Sequence, residues 1–408
     1  MADSLQDSTA SLIRKLVLER LDMEHPSPLP IASEIAARAG VSLMTVRQAM
    51  ARMAAAGLIE RRQGSGTYVA PAVLRGRKSI ALVWGMSMAS HDQAWFPLLF
   101  AWIQQAAKAR GWSIRRYSVL GSDDEPDHNL ERLLADAWSL KYRGLIYLPI
   151  PSVSAALEAS GLRAVSDIKM LAICADLGRD SIVIDQFGFG EAAAERLIQQ
   201  GARRLAFIGG RDGQASRAAD YSGFRHALHN HPEARTEDAW ARTALLRDPV
   251  RVGYEAFTSI WAQPDKPDGL VVADDVVMYG VMLAMLEHGV KVPKDLRVVA
   301  LGTQGARYDG YPIEPPRITF SPRTFAFQAV DALIRMIQDD LDHTPVIKVS
   351  PDPVAADVDA STGQESQHKR TQSRSNALPQ DIQPRHPVMF QALAQRVRTP
   401  DLGPVLTH

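Results

Sequence analysis

The residues best suited to chemistry sit close together near the N-terminus: Ser42, Thr45, Arg47 and Gln48 within one short run, then Arg61 and Arg62 ahead of a Gly64-Ser65-Gly66 tip. Arginine and glutamine can each make paired hydrogen bonds to base edges in a major groove, and hydroxyls can serve several bases. Basic side chains beside a glycine-rich tip suit phosphate oxygens, which fix position on a duplex without reading its sequence. The chemistry implied is nucleic-acid recognition. It requires a helix that presents Arg47 and Gln48 outward and a hairpin that carries Arg61 and Arg62.

The flanking pattern supplies both. Leu12, Ile13, Leu16, Val17 and Leu21 recur at helical spacing in a first helix from about Ser8. Pro26, Pro28 and Pro30 end it, and a second helix begins near Ile31 with Ile35 and Ala39 inward. Gly40 closes that helix and Ser42 is placed to cap the third. Val46, Ala49, Met50 and Met53 then form a buried stripe, leaving Leu43, Arg47 and Gln48 outside it. Two helices joined by a tight turn, with outward polar groups near the start of the second, meet the geometric demand of a major groove. Residues 57–69 read as two short strands around a Gln63-Gly64-Ser65-Gly66 tip, a wing able to follow a phosphate backbone or reach the minor groove.

Composition sets the bounds. The 408 residues are 46% hydrophobic and 23% charged, ordinary for a globular chain of two domains plus extras. The net formal charge is +0, yet residues 1–78 hold eleven Lys and Arg against seven Asp and Glu, an excess where the DNA-facing residues fall. The single cysteine, Cys174, follows the apolar run Met170-Leu171-Ala172-Ile173 and is expected to be a buried structural thiol. No basic patch precedes an apolar stretch at Met1-Ala2-Asp3-Ser4, and no apolar run is long enough for a bilayer, so a cytoplasmic location and no membrane partner are expected.

From Lys78 the texture changes. Apolar strands at 79–84, 112–117, 144–148, 181–184, 204–208, 269–272 and 297–301 alternate with helices at 95–110, 127–141, 187–200, 216–229 and 275–288. Such alternation predicts an α/β fold with parallel sheets covered on both faces, and ligands at the carboxyl ends of the strands. Residues 71–78, with one Pro, one Gly and three basic side chains, read as a solvated linker. Residues 351–408 read as a largely disordered tail, most polar over 358–386, with an apolar segment from Val388 to Val397 that could form a helix. The domains are therefore placed at 8–70, 71–78, 79–350 and 351–408.

Several strings carry a resemblance. Leu29-Pro30, Ala39-Gly40-Val41-Ser42, Thr45-Val46-Arg47-Gln48-Ala49 and the run from Gly57 to Val69 resemble the GntR-type winged helix-turn-helix. The resemblance implies a DNA-binding set of Ser42, Leu43, Met44, Thr45, Arg47, Gln48, Arg61, Arg62, Gly64 and Gly66, with double-stranded operator DNA as partner. Where that family often carries Arg at the start of the recognition helix, this chain has Leu43; where it often carries an acidic-basic pair after Leu-Pro, this chain has Ile31-Ala32-Ser33. Leu43 and Met44 could meet thymine methyls or pack against the wing.

Downstream, Val183-Ile184-Asp185-Gln186, the run from Gly201 to Gly210, Gly223-Phe224-Arg225, the run from Pro267 to Asp275, the run from Gly289 to Leu296 and Pro315-Pro316-Arg317-Ile318-Thr319 resemble LacI-type regulators. That resemblance implies a two-lobed periplasmic-binding-protein-like sensor joined by three crossing strands, a small effector, and homodimerisation. The pairing of the two is similar to the arabinose-repressor type of architecture, which makes a sugar or polyol the leading effector. The implied ligand set is Gln93, Trp95, Phe96, Arg217, Asp220, Asp275 and Gln304. Asp275 is the leading contact, with a helix N-cap as its other reading. Asp220 stands where the family usually carries an Arg, with Arg217 one turn earlier as a substitute, and Thr303-Gln304 replace an Asp-Asp. Exchanging a cation for an anion favours a neutral polyol or a cationic compound over a phosphorylated or acidic one.

The function implied is a ligand-responsive transcriptional regulator, with repression relieved by effector as the leading sign. A solute-binding protein would need an export signal and has no use for residues 10–70. A pyridoxal-phosphate enzyme on the same head needs a Schiff-base lysine in a longer domain. No Ser/His/Asp or metal constellation is visible, and His25, His226, His229 and His231 are scattered, so neither catalytic residues nor a cofactor nor a metal is expected.

Overall fold

The structure is a computed structural model describing residues 2–21, 23, 27–85, 95–119, 128–159, 168–209, 214–243, 248–306 and 313–352. The tail from 353 onward, with its expected disorder and helix, lies outside the described residues, as does Gln93. The chain divides into two compact units: residues 1–89, 103–182 and 326–347 form the first, and 90–102, 183–325 and 348–408 the second.

The first unit begins with three helices, α1 (Ala2–Leu21), α2 (Ala32–Ala39) and α3 (Leu43–Ala55), and a two-stranded antiparallel wing, β1 (Ile59–Arg62) and β2 (Gly66–Val69). Helix α1 starts six residues before the expected Ser8. Ile13, Leu16, Val17 and Leu21 of α1 are buried, together with Ile35 of α2 and Val46, Ala49 and Met50 of α3. Met53 is only half-buried. Gly40 ends α2 at φ +64°, a left-handed turn that disfavours a side chain. The Leu29 amide donates to the carbonyl of Thr67 at 2.7 Å, so the proline-rich segment is pinned along the wing.

The expected linker is instead structured. Pro71–Gly76 form helix α4, with Val73 and Gly76 buried. Pro71 sits in the first turn, where its missing N–H costs nothing. A Cβ on Gly76 would lie 2.6 Å from the carbonyl oxygen of Leu140, so only glycine permits this approach. The three basic residues concealed the pattern, because the apolar contacts here are tertiary rather than periodic.

The α/β part of this unit contains a six-stranded sheet. Its strands are β3 (Ser79–Trp84), β4 (Ser113–Ser118), β5 (Gly144–Tyr147), β6 (Lys169–Ile173), β7 (Ser181–Ile184) and β13 (Ile347–Val349), in the spatial order β13-β7-β6-β5-β3-β4. The pairs from β7 to β4 are parallel. Helices α5 (Trp95–Ala109), α6 (His128–Trp138) and α7 (Pro151–Ala159) connect them. Cys174 corrects an expectation: it lies just past β6 at φ +64° and is half-buried, because the strand ends one residue before it.

In the second unit a five-stranded parallel sheet runs β12-β11-β10-β8-β9. The strands are β8 (Leu205–Gly209), β9 (Ala241–Thr243), β10 (Gly269–Val272), β11 (Arg297–Thr303) and β12 (Arg317–Phe320). Its helices pair tightly: α8 (Gln186–Gln199) with α9 (Gln214–Asn230), and α10 (Pro249–Trp261) with α11 (Val277–Glu287). Each pair meets through reciprocal glycines. A Cβ on Gly190 would overlap the Asp220 carbonyl, and one on Gly223 the Phe187 carbonyl. Gly253 and Gly280 stand in the same relation to Val277 and Val250. A long helix α12 (Pro322–Gln338) follows β12, and from Ala326 onward it belongs to the first unit. Among the described residues, no helix is long and apolar enough to cross a membrane.

Candidate functional site

The head presents its polar residues as their spacing predicts. Ser42 caps α3: its hydroxyl accepts from the Thr45 amide at 3.1 Å and lies 2.8 Å from Thr45 Oγ1. Both hydroxyls are therefore engaged with each other in the first turn. Arg47 and Gln48 are exposed on the face opposite Val46, Ala49 and Met50. Leu43 is 39% exposed and Met44 63% exposed, and the core beneath takes Val41 and Met53 but not these two.

On the wing, Gly64 and Gly66 adopt φ +72° and +116° at the exposed tip. Arg62 is tethered: its guanidinium pairs with Glu60 at 2.7 Å and lies 4.5 Å from the centre of the Tyr68 ring. The tether fixes the direction of a cation that would otherwise sample many rotamers. Arg61, next to it on β1, is also exposed. Arg47, Arg61 and Arg62 thus offer charge on the same small domain that exposes the first turn of α3.

The head is fastened to the α/β part of its own unit. Arg14 of α1 is only 7% exposed and donates to the carbonyls of Trp138 at 2.8 Å and Ala137 at 3.2 Å. These are C-terminal carbonyls of α6, where a cation also complements the helix dipole. The guanidinium lies 5.7 Å from the Trp138 ring centre. One continuous apolar cluster runs from Ile13 and Val17 through Val73 to Leu133 and Ala137. Beside it, buried Asp136 accepts from Tyr117 at 2.8 Å and from Lys141 at 2.6 Å. Burial opposes ionisation of Asp136, but the hydrogen bonds from Lys141 and Tyr117 and the nearby positive charges outweigh it and hold the carboxyl below its ordinary value. The Tyr117 hydroxyl is pushed well up by burial and by that carboxylate. Nothing in the spacing of Arg14 marked this role. A lone arginine on an amphipathic helix reads as solvated, and its partners lie more than a hundred residues away.

Of the effector set, the residues whose side chains are described belong to the second unit. Asp220, in α9, is 5% exposed, and its Oδ1 accepts from the Tyr221 amide at 2.8 Å. The Gly190 approach fixes its backbone. Asp275 follows β10, is 9% exposed, and accepts from the Thr303 hydroxyl at 3.3 Å. Its neighbour caps the start of α11: Asp274 Oδ1 accepts from the Val276 and Val277 amides at 2.8 and 3.0 Å. Gln304 is exposed just past β11, its amide donating to the Phe320 carbonyl. Trp95 and Phe96 are half-buried at the start of α5. The Trp95 ring meets Phe325 edge-on at 5.5 Å and packs on the core of the second unit, so its contact with that core is established. Arg217 lies in α9, with its side chain outside the described residues. The buried carboxylates of Asp220 and Asp275 accept hydrogen bonds from hydroxyls or ammonium groups. Thr303 was not foreseen as a partner of Asp275, although it ends the neighbouring strand.

Comparison with known proteins bears on both regions. Residues 6–69 match the family described as bacterial regulatory proteins, gntR family, and residues 194–355 match the periplasmic binding protein-like domain. The chain is 27% identical over 280 residues to the HTH-type transcriptional regulator GntR of Pseudomonas aeruginosa, a match spanning 66% of this chain and 78% of that one. It is 26% identical over 176 residues to the HTH-type transcriptional repressor PurR of Histophilus somni, spanning 42% and 51%. A LacI family transcriptional regulator from Mycobacterium smegmatis has a similar fold, with a TM-score of 0.51 at 20% identity over 67% of this chain and 96% of that one. The transcriptional regulator CelR in complex with cellobiose gives a TM-score of 0.54 at 17% identity over 79% and 98%.

Proposed function

We infer, from a gntR-type regulatory domain and a periplasmic-binding-protein-like domain carried by one chain, that this protein is a ligand-responsive, DNA-binding transcriptional regulator. The observation that carries the reading is the α3 face: a hydroxyl-capped first turn and exposed Arg47 and Gln48 on a domain with a basic wing. The named relatives are regulators and repressors of transcription, not enzymes. Repression relieved by effector is the sign we propose. The working site is cytoplasmic DNA.

The effector we propose is a sugar or polyol, held through the acceptor oxygens of Asp220 and Asp275 with Trp95 or Phe96 against an apolar sugar face. Two buried carboxylates disfavour an anionic effector through direct repulsion. One regulator of similar fold is described with cellobiose, which accords with this class. We further propose that the protein works as a homodimer. Each head then meets a half-site about 34 Å, or a multiple of it, from the other. The effector shifts a pre-existing balance between two arrangements of the dimer, and the head follows the unit to which Arg14 and α4 fasten it.

The test is selection of duplexes from a random pool by the purified full chain, then titration of the preferred duplex over a range of salt. An enriched sequence with two related half-sites, bound less tightly as salt rises, supports the reading. A pool that stays unenriched removes it.

A further inference from the structure

The first turn of α3 is built in an unusual way for a DNA-facing helix. Its two hydroxyl residues are turned on each other, Ser42 Oγ holding both the amide and the side chain of Thr45. No cationic or amide side chain precedes Arg47 in this turn. What it offers outward is apolar: Leu43 and Met44, 39% and 63% exposed. The core of helix α3 takes Val46, Ala49 and Met50; Met44 points to the other face, and Leu43 stands at the edge of the core stripe, in line with Val46 and Met50 but still 39% exposed. Exposed Arg38, Arg47, Arg61 and Arg62 on the same domain make the setting attractive to a polyanion rather than to an apolar protein surface. In a major groove the 5-methyl of thymine is the apolar feature a side chain can meet.

We propose that Leu43 and Met44 read thymine methyl groups, so that the preferred duplex carries thymine where the first turn of α3 enters the groove. This rests on the reading of the chain as a DNA-binding regulator and names what the head selects. Arg47 and Gln48, one turn further on, contact the adjoining base edges or phosphates. The methyl contact removes apolar surface from water on both sides, and burial of one such group is worth about a four-fold change in affinity.

The experiment uses the full-length protein and the duplex it selects from a random pool. Each thymine of a half-site is replaced in turn by deoxyuridine, which keeps every hydrogen-bonding group and lacks only the methyl. Affinity is measured for the natural protein, Leu43→Ala, Met44→Ala and the double variant. Met44 is 63% exposed, so an unchanged melting temperature is expected for Met44→Ala, and for Leu43→Ala and the double variant a cooperative transition above the assay temperature confirms that the head is folded. The proposal expects one or two positions per half-site at which deoxyuridine weakens binding by about four-fold, and expects that difference to vanish in the double variant. Replacement of Leu43 by Arg should move the preferred base at that position from thymine toward guanine, since guanidinium pairs with the guanine edge. Indifference to deoxyuridine at every position overturns the proposal, and so does a thymine preference that survives in the double variant. An unenriched pool is a different failure, since it removes the DNA-binding reading itself. Capture of a protein instead of a duplex by the Leu43–Met44 face also overturns the proposal.

Discussion

The two compact units divide labour in different chemical terms. The first carries the head and holds it with a buried arginine, a glycine contact and one shared apolar cluster. The second contains the described side chains of the effector set, and it is stiffened by helices in backbone contact through reciprocal glycines. The lesson is that recognition of DNA and recognition of a metabolite need opposite surfaces. A DNA reader keeps its functional groups exposed on a small scaffold, where each can be changed without loss of the fold. The two acids proposed to hold the effector, Asp220 and Asp275, are buried and their positions depend on their supports, so in that proposal function and stability are entangled.

That contrast can be broken most forcefully in the second unit. Gly190→Val drives a side chain into the Asp220 carbonyl and must part α8 from α9. Overpacking of this kind costs about 1–3 kcal/mol or more. The expected outcome, followed by thermal melting, is a transition lowered by several degrees and a smaller effector-induced shift. Preserved melting and an unchanged effector response would show that the glycine contact is dispensable.

Arg47→Ala is the matching test of the exposed reader. Loss of a base or phosphate contact should weaken binding to the selected duplex by roughly 10-fold or more, with the melting temperature unmoved. An unchanged affinity by fluorescence anisotropy takes Arg47 out of the site.

The fastening of the head to its unit is sharpened by Arg14→Ala. Two helix-terminal carbonyls lose their donor, at a cost of about 1–3 kcal/mol. The head should still bind the duplex, while the effector's influence on that binding should shrink. If effector coupling survives intact, transmission runs through α4 alone or through the dimer.

The smallest expected effect concerns acid. Asp136 titrates below its ordinary value in the folded protein. Its contribution to stability is therefore present above the unfolded carboxylate range and is lost as pH falls through the folded value. Melting of the natural protein should decline at acid pH more steeply than that of Asp136→Asn, which is less stable near neutrality. Equal acid slopes would assign the decline to other carboxylates.

Much of this organisation was legible in residue order, and the reasons are local. The head's helices follow from apolar spacing, proline stops, Gly40 and the Ser42 cap, all acting within a few residues. Strands β3, β4, β5, β7, β8, β10 and β11 also announced themselves, whereas the apolar run that forms β6 was not placed as a strand. What escaped notice is held by distant partners. Helix α4 packs on a turn far along the chain, Arg14 meets α6, and Thr303 reaches Asp275 across neighbouring strands. Strand β9 has only three residues, and helices α7, α10 and α12 carried too mixed a pattern to stand out. The role of Asp274 as the cap could have been foreseen, since an acid two or three residues ahead of free helix amides is a common start signal.

The central claim is that a metabolite bound by the α/β body controls DNA binding by the head. The most direct measurement is the affinity of the full-length protein for its selected duplex, with and without each sugar, polyol or amine that raises its melting temperature. The account predicts that at least one stabilising compound changes that affinity by about 5- to 150-fold, and that DNA changes the compound's affinity by the same factor. A compound that binds tightly and leaves duplex affinity untouched, across every stabilising compound found, would contradict it.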